Sequence, residues 1–280
     1  MADSVQIEKA NRLQALIDET PILVLPNAWD VGSALVLQEA GAKAVATASA
    51  GIAYTLGRPD GEVVSRDEML EAVGRIARRL TIPVSADMET GFGDTPQDVA
   101  ETTRLTIEAG AVGINLEDSR KDQRGVLRDT DDMVARVSAA RDAAADAGVP
   151  IVINARTDVL LLGVGEAADR FGHAVARTNA YREAGAGSLF VPGVRDAEII
   201  GNLVGAIDGP LNILASPGCP DVSELDKLGV ARLTVGPGLA HAALGAVRRS
   251  AQALLNEGRL GPMFEDAPTF PEMMALMKGP

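Results

Sequence analysis

Val84-Ser-Ala-Asp-Met-Glu-Thr-Gly-Phe-Gly-Asp94 is the stretch whose reading decides the fold. A short apolar run, Ile82-Pro-Val-Ser-Ala86, delivers Asp87 and Glu89; Gly91 and Gly93 then turn the chain, and a helix-like segment starts at Pro96. Residues two apart on a strand point the same way. With strand geometry kept to the end, two carboxylates therefore project together at the lip of a sheet. Like charges there repel, and a hard cation is the simplest compensation. Further on, Ile114-Asn-Leu-Glu-Asp118 ends a second apolar run with Glu117 and Asp118. The repetition points to a metal site shared between adjacent strands.

Working outward, the same unit recurs. Apolar strands are expected at 22–25, 43–47, 82–87, 112–117, 150–156, 188–191, 211–215 and 231–235. Helices are expected at 5–19, 31–40, 66–80, 96–110, 131–147, 166–184, 196–206, 221–228 and 239–257, with an extra apolar helix at 271–278. Residues 49–53 read as a small-residue loop leading to Leu56-Gly-Arg-Pro-Asp60, and 119–129 as a polar loop. Strand–helix alternation with near-continuously apolar strands predicts an α/β fold, a (β/α)8 TIM barrel with extra terminal helices. No composition break divides it, so 1–280 is expected to be one domain. A doubly wound open sheet is the alternative, and the missing Rossmann glycine fingerprint counts against it.

Composition narrows the function classes. Asp plus Glu number 39 against 26 Lys plus Arg, a net charge of −13. Such a chain is a poor partner for nucleic acid or an anionic membrane, and an anionic substrate would need local cations to hold it. The single Cys219 excludes an internal disulfide and any multi-cysteine metal cluster. No apolar signal core stands near Met1 and no stretch is long enough for a membrane span, so a cytoplasmic protein is expected. The Met-rich tail has little reason to be exposed in a monomer, and a homo-oligomer would cover it.

Barrel chemistry sits at the carboxyl ends of the strands. There the sequence places Asp60 after strand two, Asp87 and Glu89 after strand three, Glu117 and Asp118 after strand four, and Arg156 and Asp158 after strand five. Strands six to eight end in Pro/Gly turns without acids. Any one acid could cap a helix or solvate a loop; the group reads better as a metal site. All-oxygen ligands favour Mg²⁺, with Mn²⁺ as the variant, over zinc. Arg156 has the fork geometry for a substrate carboxylate, and an ion pair with Glu117 or Asp87 is its structural alternative. His173 and His241 fall on helices, where packing suffices to explain them. Cys219, in a Pro-Gly-Cys-Pro turn with no His nearby in sequence, reads as structural.

These residues resemble the isocitrate lyase/phosphoenolpyruvate mutase superfamily over roughly residues 20–245. The resemblance is carried by Pro26-Asn-Ala-Trp-Asp30, Leu56-Gly-Arg-Pro-Asp60, Ala86-Asp-Met-Glu-Thr-Gly-Phe-Gly93, Asn115-Leu-Glu-Asp118 and Asn154-Ala-Arg156. It implies a barrel with Mg²⁺ at its mouth, Asp87 as direct ligand, and Asp60, Glu89 and Glu117 holding the metal's waters. It further implies that Arg156 grips the substrate carboxylate and that the loop containing Thr47, Ser49 and Gly51 binds a 2-oxo acid through backbone N–H groups. The family commonly forms tetramers that exchange a terminal helix, which implies that 239–280 is exchanged or packed between subunits.

The departures from the family are informative. Its lyase branches carry a Lys-Lys/Arg-Cys-Gly-His motif on a mobile gate; here the loop reads Ser119-Arg-Lys-Asp-Gln-Arg-Gly-Val126, keeping Lys121 and Gly125 but neither the Cys nor the His. No arginine follows strand eight, so the pocket suits a smaller acid. The implied activity is a Mg²⁺-dependent, phosphonomutase-like reaction on a small 2-oxo acid or enolpyruvate derivative, through a pyruvate enolate. Lys121 or Arg124 would neutralise the leaving group. The alternatives are a C–C lyase acting on a 2-methylmalate-type diacid and a non-catalytic barrel that binds a metabolite.

Overall fold

The computed structural model describes residues 3–123 and 125–278. Its strands are β1 (Leu23–Leu25), β2 (Asn27–Ala28), β3 (Val45–Thr47), β4 (Val84–Asp87), β5 (Gly113–Glu117), β6 (Val152–Arg156), β7 (Ser188–Phe190), β8 (Leu211–Leu214) and β9 (Arg232–Thr234). All pair in parallel, in the order β1-β9-β8-β7-β6-β5-β4-β3-β2. β1 and β2 are two halves of one stave, split at Pro26, which has no N–H to give the ladder. One half bonds β9 and the other β3, so this stave joins the two ends of the sheet. The expected TIM-type α/β barrel is the fold found.

The helices are α1 (Ser4–Asp18), α2 (Val31–Glu39), α3 (Ser49–Thr55), α4 (Arg66–Ala77), α5 (Pro96–Glu108), α6 (Thr130–Ala147), α7 (Val159–Leu162), α8 (Arg170–Glu183), α9 (Ala197–Ala206), α10 (Val222–Lys227), α11 (Gly238–Glu257) and α12 (Phe270–Lys278). Several begin where the sequence says they must. Ser65 and Glu68 form a reciprocal capping box on α4, and Thr95 and Asp98 form one on α5, with Pro96 in its first turn. Each box satisfies N–H groups that have no partner within the helix. One expectation fails: residues 49–53 are not a loop but the body of α3. Their small residues serve close packing. A Cβ on Gly51 would stand 2.7 Å from the Cβ of Trp29.

α1 closes the amino end of the barrel with the buried side chains Leu13, Leu16 and Ile17. Leu13 reaches so close to Gly113, at the start of β5, that a Cβ there would lie 2.9 Å from it. The core is Ala, Val, Leu and Ile, as the scarcity of aromatics requires. Along the barrel interior it changes character: Ser85, Asn115, Asn154, Asn212, Arg232 and Thr234 are all buried where barrels usually carry branched aliphatics. At the C-terminus α12 lies on α2 of its own chain, through Leu276 and Met277. Leu244, Val247 and Leu255 of α11 and Phe270 of α12 remain exposed. Among the described residues no helix is long and apolar enough to cross a membrane.

Candidate active site

Asp87 is the last residue of β4 and the most fully held acid of the mouth. Its Oδ2 accepts from the Ser49 hydroxyl at 2.7 Å and the Ser49 N–H at 3.3 Å, and its Oδ1 accepts from Asn115 Nδ2 at 3.0 Å. Its own N–H donates to Thr47 Oγ1 at 2.8 Å. The carboxylate is thus fixed by the start of α3 and by β5, and the Asp87 backbone by the end of β3. Glu89 does not continue the strand: its φ is 49°, in the left-handed region that disfavours side chains. The two-apart argument therefore fails at this residue, yet Glu89 still reaches the lip, because its N–H donates to Asp87 Oδ1 at 3.4 Å. Glu62 and Phe92 are also left-handed. Glu62 locks the turn by accepting from the Thr90 N–H and hydroxyl at 2.8 and 2.5 Å, while its own N–H donates to Glu89 Oε2 at 2.7 Å.

Glu117 ends β5 and Arg156 ends β6, directly opposite each other in register. Arg156 Nη1 lies 2.8 Å from Glu117 Oε2, and its Nε donates to Asp158 Oδ1 at 2.6 Å. Its guanidinium carbon stands 5.5 Å from the centre of the Phe190 ring. Two carboxylates and a ring plane thus orient the fork, leaving Nη2 for a ligand. Lys121 comes from a loop pinned at its base by a Ser119–Leu127 bridge. Its Nζ donates to Glu117 Oε1 at 2.6 Å and lies 3.3 Å from Glu89 Oε2. The expected pairing of Arg156 with Glu117 is present; the alternative partner is Asp158, not Asp87. Arg124 lies outside the described residues.

The electrostatics show what this cluster lacks. Burial, then Asp87, Glu117 and Asp60 acting against the relief from Lys121, push the Glu89 carboxyl up to about 8. Asp60, on a loop at the cavity edge, is raised by loss of water and then by Asp87. Burial would raise Glu117 too, but Arg156 and Lys121 overcome it and hold the carboxyl at about 2. Burial also drives Asp158 up, to about 6, against the pull of Arg156. The carboxyls of Asp60 and Glu89 thus resist ionisation where they stand beside other acids, and a hard divalent cation fits the set. Among the described residues no three His, Cys, Asp or Glu side chains form a ready-made cage. That suits Mg²⁺, which keeps several waters and takes only one or two carboxylates directly.

A cavity of about 210 Å³ opens beside Asp87 and is lined by Thr47, Ser49, Asp60, Asp87, Arg156 and Phe190 among others. Ala48 and Ala50 share this wall, whereas Gly51 turns to Trp29 and lines nothing. The first turn of α3 has no side-chain cap from its own N-cap residue; its Ser49 N–H is already given to Asp87 Oδ2, which leaves the later N–H groups of the turn without a partner inside the helix. Asp118 leaves the cluster altogether. It points toward α8, where it accepts from the Tyr181 hydroxyl at 2.8 Å and from Arg177 Nη1 at 3.1 Å. Its role is to fix α8 and, through the Asp158 N–H at 2.9 Å, the turn after β6. His241 stacks on Tyr54, and Cys219 is half-buried against the core, as packing residues would be.

Sequence reading missed the asparagines. Asn154 Nδ2 donates to Asn115 Oδ1 at 2.8 Å, Asn212 Nδ2 to Asn154 Oδ1 at 3.5 Å, and Thr234 Oγ1 to Asn212 Oδ1 at 3.4 Å. With Asn115 donating to Asp87, a chain of side-chain hydrogen bonds runs around the barrel interior from β9 to the candidate metal ligand. The signal was present: Asn115, Asn154 and Asn212 each interrupt an otherwise apolar strand. A buried amide there must find partners, and only its counterparts on neighbouring staves are in reach.

Residues 13–255 match the family model for phosphoenolpyruvate phosphomutase. The 2-methylisocitrate lyase of Escherichia coli K12 is 31% identical over 204 residues, covering 70% of this chain and 66% of that protein. A crystal structure of a candidate lyase/mutase from Burkholderia cenocepacia J2315 is 37% identical, with a TM-score of 0.91 over 99% of this chain and 98% of that one. A phosphonopyruvate hydrolase solved with oxalate and Mg²⁺ is 26% identical, with a TM-score of 0.85 over 96% and 95% of the two chains.

Proposed function

The chain belongs to the isocitrate lyase/phosphoenolpyruvate mutase superfamily, and from that premise we propose that it is a Mg²⁺-dependent enzyme acting on a small 2-oxo acid. The reaction breaks or rearranges the C–C or C–P bond beside the carbonyl and leaves a pyruvate enolate. One observation carries the reading: Asp87, fixed by four side chains and backbone groups, shares a single cavity with the oriented fork of Arg156. The phosphonopyruvate hydrolase holding Mg²⁺ and oxalate has the same fold.

Asp87 would hold the metal directly, with Asp60, Glu89 and Glu117 on its waters. When bound, the ion supplies positive charge against the negative charge that develops as the bond breaks. The chain's own residues do the rest. Arg156 binds the carboxylate of the substrate through Nη2, since its other nitrogens are committed to Glu117 and Asp158. Thr47 and Ser49 keep Asp87 in one orientation, and the N–H groups of the α3 turn present donors to the 2-oxo group. Lys121, drawn from between Glu89 and Glu117 as its loop moves, neutralises the leaving group and excludes water. The exposed apolar residues of α11 and α12 pack between subunits in a homo-oligomer.

A second reading, cleavage of a 2-methylmalate-type diacid with release of pyruvate, is favoured by the likeness to 2-methylisocitrate lyase. It must work without the lyase cysteine, because Cys219 is the chain's one cysteine and lies beyond β8. A substrate panel separates the two: oxaloacetate, phosphonopyruvate and substituted malates with Mg²⁺, read by pyruvate release, with phosphorus NMR for the mutase reaction. Turnover of a phosphonate or 2-oxo diacid is expected. Turnover of the malates alone transfers the assignment to the second reading, and no turnover of any member overturns both.

A further inference from the structure

Asp60 differs from the other acids of the mouth in what holds it. It lies in the open link between α3 and α4, well beyond the end of β3, between Gly57 and Gly61, both left-handed. Among the described residues, the hydrogen bonds that tie residues 59–64 to the rest of the barrel are all made by Glu62. The site itself resists Asp60, since loss of water and the nearby Asp87 both oppose its charge. An acid on a thin link, pushed away by its neighbours, needs a restraint.

The turn after β4 is firm enough to supply one. Glu89 and Thr90 are buried. The Glu89 carbonyl accepts from the Glu117 N–H at 2.8 Å, the Gly91 carbonyl from the Thr102 hydroxyl at 2.7 Å, and the Gly93 carbonyl from Arg136 Nη1 at 3.1 Å. β5, α5 and α6 thus anchor the turn from three sides. Glu62 grips it in both directions. Its Oε1 accepts from the Thr90 N–H at 2.8 Å and hydroxyl at 2.5 Å, and its own N–H donates to Glu89 Oε2 at 2.7 Å. Glu62 does so at a φ of 58°, a conformation that a residue with a Cβ keeps only where its surroundings over-determine it.

Taking as given that Asp60 and Glu89 hold the waters of a metal on Asp87, we propose that Glu62 is a positioning residue. It latches the Asp60 link to the rigid Glu89 turn, so that two acids from different loops serve the ion as one unit. The role asks for an acceptor at the end of a side chain of this length. Glutamine keeps such an acceptor and alanine does not.

The test is Mn²⁺ binding by electron paramagnetic resonance on wild type, Glu62→Ala, Glu62→Gln, Asp60→Asn and the double variant Asp60→Asn/Glu62→Ala. Residues that orient a metal's ligands are worth about tenfold to a hundredfold in metal affinity. Glu62→Ala is expected to weaken Mn²⁺ at least fivefold and Glu62→Gln less than threefold. Acting through Asp60, Glu62→Ala should cost less than twofold more once Asp60→Asn is in place. A loss under fivefold in Glu62→Ala, whatever its melting temperature, makes Glu62 a structural residue and overturns the latch. So does a Glu62→Gln as damaging as the alanine, or an undiminished second loss in the double variant. If Glu62→Ala does not fold, Glu62→Gly decides by the same thresholds, because glycine takes this backbone conformation without strain. A wild type that binds no Mn²⁺ sinks the metal reading and the latch with it. A wild type whose binding falls with Asp60→Asn but not with Glu62→Ala overturns the latch alone.

Discussion

On staves β3 to β6 the barrel mouth is charged: Asp87, Glu89, Glu117 and Arg156 crowd together, and burial raises the Glu89 carboxyl while Arg156 and Lys121 hold Glu117 down against the same burial. On staves β7 to β9 the ends are Pro-Gly turns, and the polarity lies deeper, in Asn212, Thr234 and Arg232. One half presents charge to a ligand at the rim; the other supplies uncharged hydrogen bonding and one hidden cation beneath it. The difference teaches how a narrow barrel carries a metal-type site without an opposing wall of acids. Asp87 is aimed by amides relayed from the neutral half, which add no further repulsion to a cluster already short of positive charge.

The sharpest way to break this comparison is Asp87→Ala. Four interactions converge on that carboxylate, and it carries the proposed metal. Turnover is expected to fall at least ~10³-fold, the scale of losing a principal electrostatic group, and Mn²⁺ binding by electron paramagnetic resonance should vanish. Thermal stability should change little, since the variant removes a carboxylate from a repelling set. Retained metal binding with full turnover would show that the charged half is not the active site.

The amide chain that crosses from the neutral half into the charged one predicts the opposite balance. Asn154→Leu keeps the branched outline of the side chain but leaves the Asn115 carbonyl and the Asn212 amide without their partner. Two dry polar groups cost about 3 kcal/mol together. Urea denaturation should show that loss, with metal affinity reduced by less than about tenfold because the other contacts of Asp87 remain. Unchanged stability would mean that the amide chain is not a connected network.

Why one half was legible in the sequence and the other was not follows from range. Strands and helices announce themselves through local period and caps: Ser65/Glu68 and Thr95/Asp98 fixed two helix starts within a residue of the expected ones. The acids stand at strand ends, so the barrel rule alone gathered Asp87, Glu117 and Arg156. Asp118 was misplaced because adjacent strand residues face opposite ways, and only the position of Tyr181, far along the chain, shows where it points. The loop expected at 49–53 is helical because tertiary packing on Trp29, not local propensity, decides it. Arg232 reads in sequence as an ordinary polar start to a strand; its isolation is visible only once all staves are closed around it.

The smallest effect tests the border between the halves. Asp158 touches Arg156 from the turn after β6, and burial raises its pKa from 3.8 to about 6. Folded protein therefore holds this proton at pH values where unfolded chain has released it. The resulting stabilisation is fully present below pH ~4 and is lost as pH rises through ~6. Asp158→Asn removes the titration while keeping a group able to accept from Arg156. Relative to wild type, the variant should gain stability on going from pH 4 to pH 7, by about 2 kcal/mol at the scale of a shift of this size. Urea denaturation of both proteins at the two pH values measures it. A difference independent of pH would mean that Asp158 stays ionised beside Arg156, and that the fork is held by two full charges on the rim.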